Sequence, residues 1–158
     1  MNTMVESTFT IDELNKQVIQ SRVFDAPQSL LFDVFTKAEH IPHWWTNTTV
    51  DKLDVRPGGE WRFVSQGQGG EFICGGVFKE VTPPDRIVQT FGMEANPGHE
   101  FIQTITFTPQ GDKTLVITET QFKSAEDLNQ TVNYGMKTGA DYGYARIDAY
   151  LESLTARS

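Results

Sequence analysis

Few side chains in this sequence could do chemistry, and their spacing narrows the choice quickly. Glu119 is the strongest candidate acid or base: it lies in a strand-like stretch on the side that carries Leu115 and Ile117. Desolvation on such an apolar face raises a carboxyl pKa toward the range a general acid or base needs. Cys74 is the single cysteine, which excludes an intramolecular disulfide and a cysteine-based zinc site. Set among apolar neighbours, it reads as inert packing. His40 and His43 stand three apart and only His99 remains, too few ligands for a metal site, so neither metal nor cofactor is expected. No nucleophile elbow, P-loop, HExxH or CxxC occurs, and Gly67-Gln68-Gly69-Gly70 joins two strands rather than opening a phosphate-cradling helix.

The elements that must position these groups follow from periodicity. Residues 1–15 read as a flexible N-terminal segment, with a weak capping box at Thr10-Ile11-Asp12-Glu13. Residues 16–156 read as one domain. Lys16–Phe24 predicts a strand. Asp25-Ala26-Pro27-Gln28 predicts a capped helix start, and Thr36-Lys37-Ala38-Glu39 a second one leading to Ile41, Trp44 and Trp45. From Thr49 to Phe122 the period becomes two, and five turn signals divide the region into six strands joined as hairpins. Gly75-Gly76 predicts a bulge or the close approach of another backbone. After Ser124 a long amphipathic helix is predicted to about Ala156, with Met136, Ala140, Tyr144, Ile147, Leu151 and Leu154 along one side. The order β-α-α-β6-α is an α+β domain whose last helix lies across the sheet.

Strand parity suggests what faces inward. Ile87, Gln89, Phe91 and Met93 share one face, as do Phe101, Gln103, Ile105 and Phe107; Leu115, Ile117 and Glu119 share another. The threonines opposite are assigned to solvent. Folding the hairpins about their turns, with Ile105 opposite Ile117, predicts a polar row Gln89–Gln103–Glu119 across an aromatic and aliphatic face. Across the Gly67–Gly70 turn, Ser65, Phe63 and Trp61 pair with Phe72, Cys74 and Gly76. Gly135, Gly139 and Gly143 recur every four residues in the last helix, where each costs about 1 kcal/mol relative to alanine. They imply either close packing on the sheet or deliberately missing side-chain volume. A ligand space between sheet and helix would then have Trp61, Phe63, Phe72, Cys74, Phe91, Met136, Ala140 and Tyr144 as walls, with Gln89, Gln103 and Glu119 as polar anchors.

Composition limits the partners. Thirteen Lys+Arg against twenty-one Asp+Glu give a net charge of −8, which disfavours nucleic acid and anionic membranes. No apolar run approaches the length of a membrane span and the N-terminus lacks a signal-peptide pattern, so a cytoplasmic location is expected. The partner expected is a small lipophilic ligand. A monomer and a homodimer are equally compatible with the sequence.

Several motifs then stand in a telling order: Phe24-Asp25-Ala26-Pro27, Trp44-Trp45, Arg56-Pro57-Gly58-Gly59-Glu60-Trp61-Arg62-Phe63, Glu80-Val81-Thr82-Pro83-Pro84-Asp85-Arg86-Ile87-Val88, Gly135-Met136-Lys137-Thr138-Gly139 and Tyr144-Ala145-Arg146-Ile147. Together they resemble the AHSA-type proteins, named for the activator of a heat-shock chaperone's ATPase, within the START-like or SRPBCC superfamily. The resemblance spans roughly Gln17 to Leu154. It implies a helix-grip (START/Bet v-like) fold, a seven-stranded antiparallel sheet wrapped round a long C-terminal helix with a cavity between them. It also suggests two alternatives to a non-enzymatic binder. One is a chaperone accessory or stress-related interaction module, with a chaperone as partner. The other is a cyclase- or dehydratase-type enzyme using Glu119. Many relatives carry tryptophan where this chain has Ala140, a replacement that enlarges the implied cavity.

Overall fold

The computed structural model describes residues 7–67 and 69–156. The first six residues of the expected flexible segment, and Gln68 of the Gly67–Gly70 turn, lie outside the described residues. Eight antiparallel strands form one sheet: β1 (Ser7–Asp12), β2 (Gln17–Phe24), β3 (Thr48–Leu53), β4 (Glu60–Gly67), β5 (Gly70–Thr82), β6 (Arg86–Met93), β7 (Phe101–Gln110) and β8 (Lys113–Gln121). Their order is β1-β2-β8-β7-β6-β5-β4-β3. The six expected strands form the meander, and the N-terminal hairpin joins its free side at β8. Helices α1 (Gln28–Thr36), α2 (Ala125–Asn133) and α3 (Met136–Ala156) and a 3-10 turn (Ile41–His43) complete the chain.

The strand count is the first departure from expectation. Ser7–Asp12, expected to be loosely held, pairs with β2 over its whole length, from Ser7 opposite Arg22 to Asp12 opposite Gln17. The supposed capping box is the hairpin corner: Asp12 accepts from the backbone and side-chain amides of Asn15, and Lys16 takes a φ of 57°. Helix α1 starts later than expected, with Pro27 rather than Asp25 at its N-cap, and ends at Thr36, because Lys37 is extended. The second capping box therefore opens no helix; Pro42 sits in the 3-10 turn, where its missing donor costs nothing.

The expected long last helix is two. Ser124 caps α2 by accepting from the Asp127 amide, and Gly135 breaks the run with a φ of 114°, a conformation that side-chain-bearing residues rarely adopt. α3 then starts afresh and crosses the sheet. Phe24 packs edge-on to Tyr144, and Ile147 and Leu151 join Leu31, Ile87, Ile105, Phe107 and Val116 in the main core. A smaller cluster of Val18, Phe122 and Leu128 seats α2 on the same face.

The glycine pair in β5 marks a close backbone approach, while the bulge falls later, between Phe78 and Glu80. Gly76 lies opposite Trp61, and a side chain there would run into the Thr90 carbonyl. With none present, the Trp61 indole reaches over β5 and donates to Thr90 O at 3.1 Å. Satisfying that N–H allows the ring to be buried.

Candidate functional site

The inward face of the sheet is a trough of aromatic and polar side chains. On the β4–β5 hairpin Trp61, Phe63 and Ser65 pair with Gly76, Cys74 and Phe72, as expected. Trp61, Phe63 and Cys74 are buried. Burial pushes the Cys74 thiol up to about 12, so it stays protonated and serves as wall, not nucleophile. Phe72 shares their parity but not their environment. It is 42% exposed, its ring beside Gly67 at the hairpin tip, and it lies outside the trough.

On β6 and β7, Gln89 pairs with Gln103 and Phe91 with Phe101, again as expected. Trp45, which the sequence placed on the short helix without a role in the site, reaches into the trough from the 3-10 turn. Its ring meets Phe63 edge-on at 4.9 Å and lies parallel to Phe91 at 6.2 Å. Phe91 stacks on Phe101 at 4.9 Å, and Phe101 touches Phe122. The Trp44 indole, anchored on the Val34 carbonyl at 2.9 Å, contacts Trp45 from behind. Part of the space expected for a ligand is thus occupied by the protein's own rings.

The polar row exists with a different last member. Ile105 faces Thr118 rather than Ile117, and Gln103 faces Thr120, while Glu119 lies opposite Thr104. Glu119 is exposed on the outer face, so it has neither the desolvation nor the position to act as acid, base or ligand anchor. The one-residue shift inverts β8: Thr114, Val116, Thr118 and Thr120 point inward and are buried. A buried hydroxyl needs a partner, and partners are present. Thr114 donates to Ala26 O at 2.7 Å, Thr118 bonds the Tyr144 hydroxyl, and Thr120 accepts from Gln103 Nε2 at 3.4 Å. Gln89 in turn donates to Gln103 Oε1 at 3.3 Å. These amide contacts are long, as expected of groups not locked in a dry core. Burial raises the Tyr144 pKa, with the Thr118 bond and the Arg22 charge opposing it.

Two further polar residues, unmarked by the sequence, face inward from β2. Gln20 is 4% exposed and sits opposite Thr118. Arg22 lies between the Phe24 and Tyr144 rings and pairs with Asp148 of α3, while its Nε is buried without a partner. Burial raises the Asp148 pKa, with Arg22 as the opposing influence. Parity along β2 could have flagged Gln20 and Arg22, because Val18 and Phe24 share their side.

The cover over this trough is uneven. Met136, Ala140 and Tyr144 approach from α3 and remain half-buried. At Gly139, which is exposed, and at half-buried Gly143 an added Cβ would meet nothing within 4 Å, which excludes close packing on the sheet as the reason for these glycines. On β6 and β7, Ile87, Ile105 and Phe107 are sealed, whereas Gln89, Phe91, Phe101 and Gln103 on the same face keep partial exposure. Two shallow hollows open elsewhere, about 370 Å³ beside His43 and Tyr150 and about 490 Å³ on the outer face around Arg62, Gly75 and Gly92. Neither lies between α3 and the inward face.

Two histidines share the Tyr150 ring and the third is elsewhere. His40 bonds the Tyr150 hydroxyl and His43 stacks on the same ring, while His99 pairs with Asp127 at 2.7 Å. Among the described residues no cluster of His, Cys, Asp or Glu could hold a metal ion, and no helix is long and apolar enough to cross a membrane.

The family model described as "Activator of Hsp90 ATPase homolog 1-like protein" matches residues 25–152. The chain belongs to this family. The fold agrees: Ms6760 from Mycobacterium smegmatis is 23% identical over 94% of this chain and 97% of its own, with a TM-score of 0.84. A protein from Rhodobacter sphaeroides is 19% identical over 94% and 99%, also at 0.84. CalU16 from Micromonospora echinospora is 20% identical over 98% and 93%, at 0.63. At these identities the likeness extends to the fold alone. No curated protein matches the chain in sequence. The family member is thus an α+β helix-grip protein, with eight strands where seven were expected.

Proposed function

We propose that this family member binds a small lipophilic molecule between the inward face of β6–β8 and the first half of α3. The observation that carries the reading is the partial exposure of Gln89, Phe91, Phe101 and Gln103, inward-facing residues of mid-sheet strands. A protein stabilised by its core would gain roughly 25 cal/mol for each Å² of apolar surface sealed there. Alanine in place of Gly139 and Gly143 would meet no obstacle and would favour the helix. Forgoing both gains is reasonable where a guest completes the packing. Phe91, Phe101, Trp45 and Met136 would form its apolar walls, with Gln89, Gln103 and the Thr118–Tyr144 pair as polar contacts. Cys74, Trp61 and Phe63 would support these walls from behind.

Extraction of the purified protein under denaturing conditions, followed by mass spectrometry, tests the reading together with titration by the neutral dye Nile red. A co-purifying lipophile, or saturable dye binding that quenches tryptophan fluorescence, is expected. An empty protein that does not bind the dye would refute the reading. The family's description supplies a second one, a chaperone accessory. Stimulation of an Hsp90 ATPase by the purified chain would favour it.

A further inference from the structure

Resting on that reading, the inner polar groups define the ligand's charge. They form one band across four adjacent strands: Gln89 on β6, Gln103 on β7, Thr120 and Thr118 on β8, and Gln20 on β2. All five are uncharged. Arg22, two residues beyond Gln20, is the one basic side chain on the inward face among the described residues, and Asp148 neutralises it. Glu119 points away. The band is therefore rich in donors and acceptors but carries no net charge.

One group of the band and one beside it lack protein partners. The amide of Gln20 makes no hydrogen bond within the described residues although the residue is 4% exposed, and Arg22 Nε is buried and unpaired. Each has donor capacity that the described residues leave unused. We propose that the ligand is an uncharged lipophile bearing a carbonyl or similar acceptor near Gln20 and Arg22, and that Asp148 excludes carboxylates by cancelling the Arg22 charge. A carboxylate entering this band would give up its hydration with no free cation to meet it, the arrangement that makes buried charge costly. A carbonyl gives up less and gains the two idle donors.

The test compares decanamide with decanoate as competitors of Nile red at pH 7.5. Decanamide is expected to displace the dye at least tenfold more effectively. Equal or better displacement by decanoate would overturn the proposal and leave the binding reading intact, as would displacement by neither. Absence of Nile red binding would refute the reading and the proposal with it. Asp148→Asn frees the Arg22 charge and should improve decanoate binding at least tenfold; a folded variant with unchanged preference removes the role assigned to Asp148. Should that variant fail to fold, Gln20→Met serves instead. It replaces the Gln20 amide by an apolar chain of similar length, so the advantage of decanamide over decanoate should fall at least threefold in a protein that stays folded. An unchanged ratio would count against the proposal.

Discussion

One face of one sheet has two ends that behave differently. At the first, Ile87, Ile105, Phe107 and Val116 are sealed beneath α1 and beneath Ile147 and Leu151 of α3. At the other, Gln89, Phe91, Phe101 and Gln103 on the same strands keep solvent contact, with Met136 of α3 beside Phe101. Alternation marks the open end only by Gln89 and Gln103, since both ends carry large aromatic residues at period two. The cover separates them. α3 brings Ile147 and Leu151 to one end and only half-buried Met136 and Ala140 to the other, so the helix sequence decides how closely each end is covered. Aromatic rings survive half-covered at the open end because Trp45, Phe91 and Phe101 stack on each other.

This contrast breaks most visibly at Phe107, which is 1% exposed and meets the Phe32 and Phe35 rings. Phe107→Ala should cost about 3–5 kcal/mol in denaturant unfolding. Phe91→Ala at the open end should cost less than half of that and weaken Nile red binding instead. Equal losses would mean that the two ends are packed alike.

The glycines of the last helical region give a contrast in sign. Gly135→Ala forces a side chain into a φ of 114° and should destabilise by roughly 1–3 kcal/mol. Gly139→Ala, four residues on and unobstructed, should stabilise by about 1 kcal/mol. Thermal or urea unfolding distinguishes them. If Gly139→Ala destabilised the protein, the unobstructed setting of that position would be refuted.

Filling the open end directly sharpens the comparison. Gly143→Leu should lower Nile red affinity about tenfold, or roughly 1.4 kcal/mol, with no loss of Tm. Retained affinity would place the guest elsewhere.

The smallest effect is electrostatic and lies away from both ends. Hydrogen bonds and charge from Arg62 hold the Glu94 carboxyl below its usual value of 4.5, and the Gly98 amide and Lys123 do the same for Glu100. A depressed carboxyl lends stability that is full above its unfolded pKa and is lost as pH falls through the folded one. Glu94→Gln should therefore flatten the fall of Tm below about pH 4.5 and leave binding at pH 7 unchanged. Asp148 runs the other way: its raised pKa makes its contribution largest at low pH and smaller as pH rises through the folded value. An acid limb unaltered in Glu94→Gln would show that the Arg62 network contributes nothing measurable.

Much of this architecture was legible before any coordinates. Tight turns fix the register of short hairpins, so Trp61 opposite Gly76, Phe63 opposite Cys74 and Gln89 opposite Gln103 follow from turn residues and alternation alone. The N-terminal strand escaped notice because its alternation is short and polar, and its stability comes from pairing with β2. β8 departs from its local pattern for a sharper reason. Threonine, valine and isoleucine suit either face of a strand, and Leu115 and Ile117 made the wrong face look apolar. What settles the matter is distant in sequence: Ala26, Gln103 and Tyr144 supply hydrogen bonds to Thr114, Thr120 and Thr118.

The linear chain alone determined the strands, their turns, the amphipathic last segment and the shortage of reactive groups, because these depend on local periodicity and composition. Only the assembled structure decided that Glu119 faces solvent, that Gln20 and Arg22 face inward, and that nothing packs against Gly139 and Gly143. The orientation of a β-branched strand and the cover over it depend on partners many residues away, and no local pattern carries that information.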